Sequence, residues 1–450
     1  MSTCSASNIT SSGVEGSVAE FTNFWFAANA YNTYDGYKVI RAIPTNDSQV
    51  LALRHFANLM ESSNSRRGTV QFWQHAHTSH SNADIFADSD SAEKVLDFLD
   101  NNWIWRDTIV ANYGEKLKST ASELIARSPE KLEKASDFDS DKYHQYDTIV
   151  SYLRLLAENN SDFISFNSIG KSYEGREIPY LKFGKSAKNG QKKPIMLVDA
   201  GIHAREWIAP AVALKFIDSL ASDNKYNSIL DQLDIYVIPA VNPDGYEHTW
   251  TSDRLWRKTR SGPRKSSNNA CAESDEATLC YGTDPNRNFP YRWGEVGTSG
   301  CPCSEVFHGD NPLSEPECAN LAGFMHEHLP QIDAYLTLHS YSNVLMHGCN
   351  NSMTPEWQRV GNEMANAIEK AGGEHFKVGC GDEILYAATG SSRDYAQSVN
   401  IKYVYTMELT SGHFNGDYVG FVYPEKGINK LAKQILPALQ ILAEEVSKIN

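Results

Sequence analysis

Residues 5–270 contain no cysteine, and the 450-residue chain has no apolar run long enough for a membrane span. Positive charge is also in deficit: 41 Lys and Arg stand against 56 Asp and Glu, a formal net charge of -15. Phosphate binding needs clustered cations, which excludes a nucleic-acid partner. A signal peptide is not evident either, because residues 1–20 are Ser/Thr-rich, carry Glu15 and Glu20, and lack a basic start followed by an apolar stretch. What is there is the balance of a globular protein, 41% hydrophobic and 22% charged, with length for two domains.

Seven of the eight cysteines lie from Cys271 onward, several in Gly/Pro/Ser-rich sequence such as Thr298 to Ser304. They read as disulfides, because Cys301-Pro302-Cys303 lacks the second pair that a structural zinc cluster requires. Disulfides predict an oxidising compartment, so secretion is the expected localisation despite the absent leader. The sequons at Asn8, Asn46, Asn159 and Asn350 fit secretion but arise readily by chance.

Two patterns divide the chain. From residue 35 to 114, YKVIRAIP, DSQVLALRHFANLM, TVQFWQHA, ADIFAD, a helix from Ser91 to Asn101 and WIWRDTIV alternate as strand-helix-strand-strand-helix-strand. That order predicts a small α+β open sandwich with two helices on one face of an antiparallel sheet. A Lys/Glu-rich connector, expected to be helical, spans 115–136. From 137 to 450 the apolar strands PIMLVDA, LDIYVIPA, IDAYLTLHS and KYVYTMEL alternate with helices such as WIAPAVALKFIDSLA, predicting an α/β sheet with helices on both faces. Ser314 with Glu317 reads as a capping box before the third of these strands. Residues 1–34 remain unassigned.

His203 and Glu206 follow the strand IMLVDA three residues apart, so one turn would bring both to a single ion. Such a pair alone is weak evidence, since the chain has 14 His and many acids. The case grows because His339 ends the strand AYLTL and Glu408 ends YVYTM, and open α/β sheets build sites beyond the carboxyl ends of strands. Two His and one Glu leave a fourth position for water, the composition of a catalytic zinc site, with Glu408 available as base.

The segments GIHAREWIAP, LWRKTR, DPNRNF, LHSYS and TMEL, in this order, resemble the zinc metallocarboxypeptidases of the A/B digestive type, and residues 35–113 resemble the inhibitory pro-segment of that family. The resemblance implies the family fold, a mixed eight-stranded sheet with helices on both faces after an α+β pro-domain. It implies one Zn2+ held by His203, Glu206 and His339, with Glu408 as general base and Arg257 stabilising the oxyanion. Asn286 and Arg287 would clamp the substrate's terminal carboxylate, which makes the enzyme an exopeptidase acting on peptide and protein C-termini. Tyr386 in LYAATG would close over substrate, Arg205, Ser340 and Tyr341 would line its path, and Asp284 would orient His203. Cys280 with Cys303, and Cys349 with Cys380, match family bridges; Cys271 with Cys301 is a further guess, leaving Cys4 and Cys318 unassigned. The pro-segment implies latency until a trypsin-like protease cuts after Arg127, Lys131 or Lys134. His75, His77 and His80 lie outside the family pattern and read as solvated loop residues.

Family members select the C-terminal residue at a position that here is Arg393, in LYAATGSSRDYA. A cation there disfavours Lys and Arg and suits Glu or Asp, a position resembling carboxypeptidase O, with Gly381 and Asn350 as pocket walls. If Arg393 instead turns to solvent or pairs with Asp382, Glu383 or Asp394, specificity would be general, aliphatic or aromatic. An inactive binding protein on the same fold, or a remover of polyglutamate from protein tails, stands as a further alternative.

Overall fold

The computed structural model describes residues 31–63, 70–186, 192–266, 271, 279–349 and 353–449. Cys4, Asn8 and Asn350 fall outside them. Among the described residues no helix is long and apolar enough to cross a membrane.

The first unit buries both faces of its sheet. Strands β1 (Lys38–Ile43), β2 (Val70–Gln74), β3 (Ala83–Ala87) and β4 (Trp105–Val110) form an antiparallel sheet in the order β2-β3-β1-β4. Helices α1 (Asp47–Ser63) and α2 (Ser89–Asn101) connect them, and Ile40, Ile85, Leu53, Val95 and Leu99 pack as one core. Asp88 caps α2 by accepting the Ser91 N–H at 2.7 Å, so the helix starts two residues before Ser91. Helix α3 (Tyr113–Ile125) follows. The connector expected to be helical over 115–136 is therefore helical only to Ile125, and residues 126–134 carry no regular structure. Pro129 accounts for this, since it removes a donor and pushes Ser128 away from helical geometry.

The larger unit begins with α4 (Tyr146–Asn159), β5 (Ile164–Lys171), β6 (Glu177–Phe183), β7 (Ile195–Ala200), α5 (Ile208–Ser222), β8 (Asp234–Ile238) and α6 (Pro243–Thr251). A two-stranded ribbon, β9 (Arg264–Lys265) with β10 (Leu279–Cys280), precedes α7 (Pro316–Glu327), β11 (Ile332–Ser340), β12 (Val344–His347) and α8 (Thr354–Lys370). The unit closes with β13 (Lys377–Cys380), α9 (Ser392–Ser398), β14 (Tyr403–Leu409) and α10 (Ile428–Ser447). Eight strands form one mixed sheet in the order β13-β12-β14-β11-β7-β8-β6-β5, whose inner strands β14, β11, β7 and β8 run parallel.

Strand pleat assigns each residue to a layer. Met196, Val198, Leu336, Leu338, Tyr405 and Met407 point to a core shared with α4, α5, α8 and α10. Ile195, Leu197, Tyr335 and Val404 point to the opposite core, against α7 and α9. On that second face the strands turn polar toward their carboxyl ends, at Asp199, Thr337, His339, Thr406 and Glu408, which is where a site can form.

Disulfides join Cys271 to Cys301, Cys280 to Cys303 and Cys349 to Cys380, while Cys318 is a buried free thiol. The capping box does not form. Helix α7 starts at Pro316 with Glu315 at its N-cap, and Ser314 Oγ donates to Glu315 Oε1 instead. Glu317 Oε1 accepts the Tyr173 N–H at 3.0 Å, because the loop after β5 supplies a nearer buried donor than the helix's own first turn.

Glu317 is fully buried, and burial, opposed by the Tyr173 N–H bond, raises its carboxyl to about 7. A folded acid that holds its proton above the unfolded value stabilises the fold at low pH and loses that contribution as pH rises from about 4.5 to about 7. Glu317→Gln should therefore gain melting temperature on the unaltered protein between pH 5 and 8, by up to about 3 kcal/mol of stability. A difference that does not change with pH would contradict the assignment.

Candidate active site

Adjacent strand ends deliver the candidate residues to one edge of the sheet. After β7, Gly201 takes φ +66°, where a Cβ would lie 3.1 Å from the Ala240 Cα, and the chain turns sharply. The turn is a single one, closed by Glu206 N–H to the His203 carbonyl at 3.3 Å, with α5 beginning only at Ile208. His339, next to last in β11, lies in direct register with Glu408 on β14.

The buried side chains of His203, Glu206 and His339 place their ligand atoms within 4.8 Å of one another. Glu206 Oε1 is 2.8 Å from His203 Nδ1, and Oε2 is 3.0 Å from His339 Nδ1. Ser340 N–H also donates to Oε2, at 3.1 Å. His203 Nε2 is 3.1 Å from Asp284 Oδ1, and a proton held there leaves Nδ1 as a lone pair facing a carboxylate. Burial and the Arg257 charge lower that imidazole, while burial of Glu206 is outweighed by its contacts with His203 and His339, which hold its carboxyl well below the usual range. Acceptors converging on one point fit a cation, and an N,N,O set suits zinc.

Asp284 is fully buried, and its Oδ2 accepts Arg257 Nε and Nη2 at 3.1 and 2.8 Å. Burial alone would raise this carboxyl, but Arg257, His203 and Arg287 hold it well below the usual range. Its Oδ1 also caps the Asn286 N–H at 2.9 Å. Arg287 donates Nε to the Gly297 carbonyl, Nη1 to the Asn286 carbonyl, and Nη2 to the Tyr386 hydroxyl at 3.0 Å. Burial, opposed by His339 and reinforced by Glu206, pushes Glu408 up to about 8.

His203, Glu206, Arg257, Asn286, Arg287, Tyr386 and Glu408 face a cleft that also receives Arg393, Met346 and Ser340. Arg393 is buried at the start of α9 and pairs with Asp394 at 2.9 Å, so it lines the cavity and is ion-paired at once. Gly381 leaves room for Arg393, whose Nη1 would lie 2.0 Å from a Cβ there.

The first unit closes the cleft. Its edge strand β2 crosses the opening, and Gln71 Oε1 accepts Arg205 Nη1 at 2.7 Å. Asp84, paired with Arg41 by two bonds of 2.7 and 2.9 Å, accepts the Tyr341 hydroxyl at 3.2 Å, and Tyr341 meets the Tyr418 hydroxyl at 2.7 Å. His75 is no solvated loop residue: its ring is half-buried against Tyr386, with centroids 4.5 Å apart. Burial, with Arg287 and Arg257, holds its imidazole down to about 3. His77 meets Lys377 Nζ at 2.9 Å and His80 is exposed. Gln71 and Asp84 escaped the sequence reading, because no local pattern marks a residue whose partner lies more than a hundred positions away.

Residues 149–438 match the zinc carboxypeptidase family, and residues 40–119 match the carboxypeptidase activation peptide family. Carboxypeptidase B of Astacus astacus is 38% identical over 68% of this chain and 98% of that protein. Carboxypeptidase O of Homo sapiens is 36% identical over 74% of this chain and 87% of its own. The crystal structure of carboxypeptidase A from Helicoverpa armigera superposes with a TM-score of 0.81 at 27% identity, covering 92% of this chain and 98% of that one. That of thrombin activatable fibrinolysis inhibitor gives 0.75 at 30% identity, covering 92% and 99%. The chain belongs to the zinc carboxypeptidases and carries their activation peptide. It is a metallopeptidase proenzyme, a peptide hydrolase of C-termini that is latent as an intact chain.

Zinc content separates ligands from neighbours. His203→Ala should lower zinc retention on dialysis by at least tenfold, whereas Glu408→Gln should keep a full equivalent of metal. Metal loss from the second variant would move Glu408 into the ligand set.

Proposed function

We propose that His203, Glu206 and His339 hold the zinc, and that the enzyme removes single C-terminal residues with a preference for Glu and Asp. Bound zinc would supply Lewis acidity toward the scissile carbonyl and toward water. Glu408 takes the proton of the attacking water on its carboxylate and hands it to the departing amine nitrogen as the C–O bond forms and the C–N bond breaks. Arg257, held by Asp284 through Nε and Nη2, turns Nη1 toward the metal site, 3.3 Å from His203 Nδ1, and offers it to the developing oxyanion. Asn286 and Arg287 take the terminal carboxylate, where the Tyr386 hydroxyl now rests, and Tyr386 closes over the bound residue. Arg205, Ser340 and Tyr341 receive the preceding residues, at positions that Gln71 and Asp84 engage in the latent form.

The observation that carries the acidic preference is the placement of Arg393 in the cleft. A buried guanidinium repels Lys and Arg ends and favours a carboxylate. A general aliphatic or aromatic preference is the second reading, favoured by the Arg393–Asp394 pair, which already offsets the charge. Release of Glu, Leu, Phe and Lys from otherwise identical peptides decides between them. The acidic reading expects Glu fastest by about tenfold or more, and a Leu or Phe rate above Glu would reject it.

The proposed boundaries are an inhibitory pro-domain at 35–114, a connector at 115–136 and a catalytic domain at 137–450. Three disulfides support a secreted protein, and basic residues in the connector support activation by a trypsin-like protease. Arg127 donates to both Glu425 oxygens, at 2.8 and 3.0 Å, and to the Tyr143 carbonyl, so it is not free to enter a protease pocket. Lys131 and Lys134 are exposed. Limited trypsin treatment should expose Leu132 or Ala135 as the new N-terminus, with activity on large peptides rising at least a hundredfold. A Ser128 N-terminus, or full activity of the uncut chain, would overturn this.

A further inference from the structure

A cation at the end of a substrate pocket can recognise a carboxylate only if its donors face inward. Arg393 meets that condition through its neighbour. Asp394 takes both Nε, at 3.0 Å, and Nη2, at 2.9 Å, on the single oxygen Oδ1, so it holds one edge of the planar guanidinium. Ser391 Oγ accepts the Asp394 N–H at 3.1 Å, which fixes this residue at the start of α9. The remaining nitrogen, Nη1, lies 3.8 Å from the cavity's Met346 Sδ, in the space left by Gly381. A pair on one edge thus aims the other edge at the incoming side chain. The same carboxylate also cancels part of the cation's field.

We propose that Asp394 is a positioning residue that sets specificity: it aims Arg393 at the substrate's C-terminal side chain, and its charge limits how strongly the pocket favours an acidic one. This rests on the reading of Arg393 as the pocket residue. The two contributions separate by substitution. Asp394→Asn keeps an acceptor oxygen on the guanidinium and removes the charge; Asp394→Ala removes both.

The test uses activated, zinc-loaded enzyme and two peptides that differ only in ending with Glu or Leu. The ratio of their kcat/KM values cancels any general loss of active protein. Asp394→Asn should raise the Glu-to-Leu ratio about tenfold, since a like charge is removed from beside the substrate carboxylate. Asp394→Ala should fall well below Asp394→Asn, since an unaimed guanidinium no longer presents Nη1. A ratio in Asp394→Asn no higher than in the unaltered enzyme overturns the proposal, as does a rise that persists when Arg393→Met is added. If the unaltered enzyme releases Leu faster than Glu, the acidic reading fails on its own, and a rise in Asp394→Asn still supports Asp394. Asp394→Ser, which also keeps an oxygen without charge, serves if the Asn variant does not fold.

Discussion

The buried carboxylate of Asp284 is the interaction on which the site depends. One oxygen fixes the tautomer of His203 and caps the Asn286 peptide; the other carries two nitrogens of Arg257. His203, Arg257 and Asn286, the proposed metal ligand, oxyanion donor and carboxylate clamp, are thus referred to a single point that is out of water. Such a charge is tolerable because cationic and polar donors surround it, and in a low-dielectric setting the same contacts are strong enough to hold geometry. The backbone contributes the rest. Parallel strands set His339 and Glu408 side by side, and the turn after β7 brings Glu206 under His203.

Much of this was legible in the sequence because it follows from strand ends. An apolar run closing on His or Glu identifies both the strand and the edge where its last side chain lies, so His339 and Glu408 could be gathered with the His203 and Glu206 pair at one sheet edge, whereas Arg257, Asp284, Asn286 and Arg287 came only with the family resemblance. The same reasoning gave the strand and helix order of the first unit and four of the eight strands of the larger sheet, β7, β8, β11 and β14. It failed where a long-range partner wins over a local one. Glu317 has capping-box spacing, yet bonds to the Tyr173 peptide. His75 sits in a polar loop sequence, yet its ring packs at a tilt against Tyr386. The connector is rich in helix formers, yet Pro129 stops the helix well short of its predicted end.

Latency in this chain is chemical as well as steric. Gln71 offers Arg205 the amide oxygen that a peptide would offer, and Asp84 engages the Tyr341 hydroxyl. Each contact uses a polar group whose desolvation has already been compensated within the intact chain. A substrate must therefore compete against satisfied hydrogen bonds and not against water alone.

Beside those polar contacts the two units share a single aromatic core, to which Tyr34, Trp73, Phe86 and Tyr113 contribute from one side and Leu255, Tyr341, Phe421 and Val422 from the other. Tyr31 and Tyr34 extend it, with hydroxyls bound to the Thr249 carbonyl and to Asp253. Once the pro-domain departs, the lip of the cleft becomes wetted surface made of residues that folded dry. Activation therefore exchanges a dry aromatic seam for an exposed apolar rim beside the cleft, a surface that the intact chain never presents.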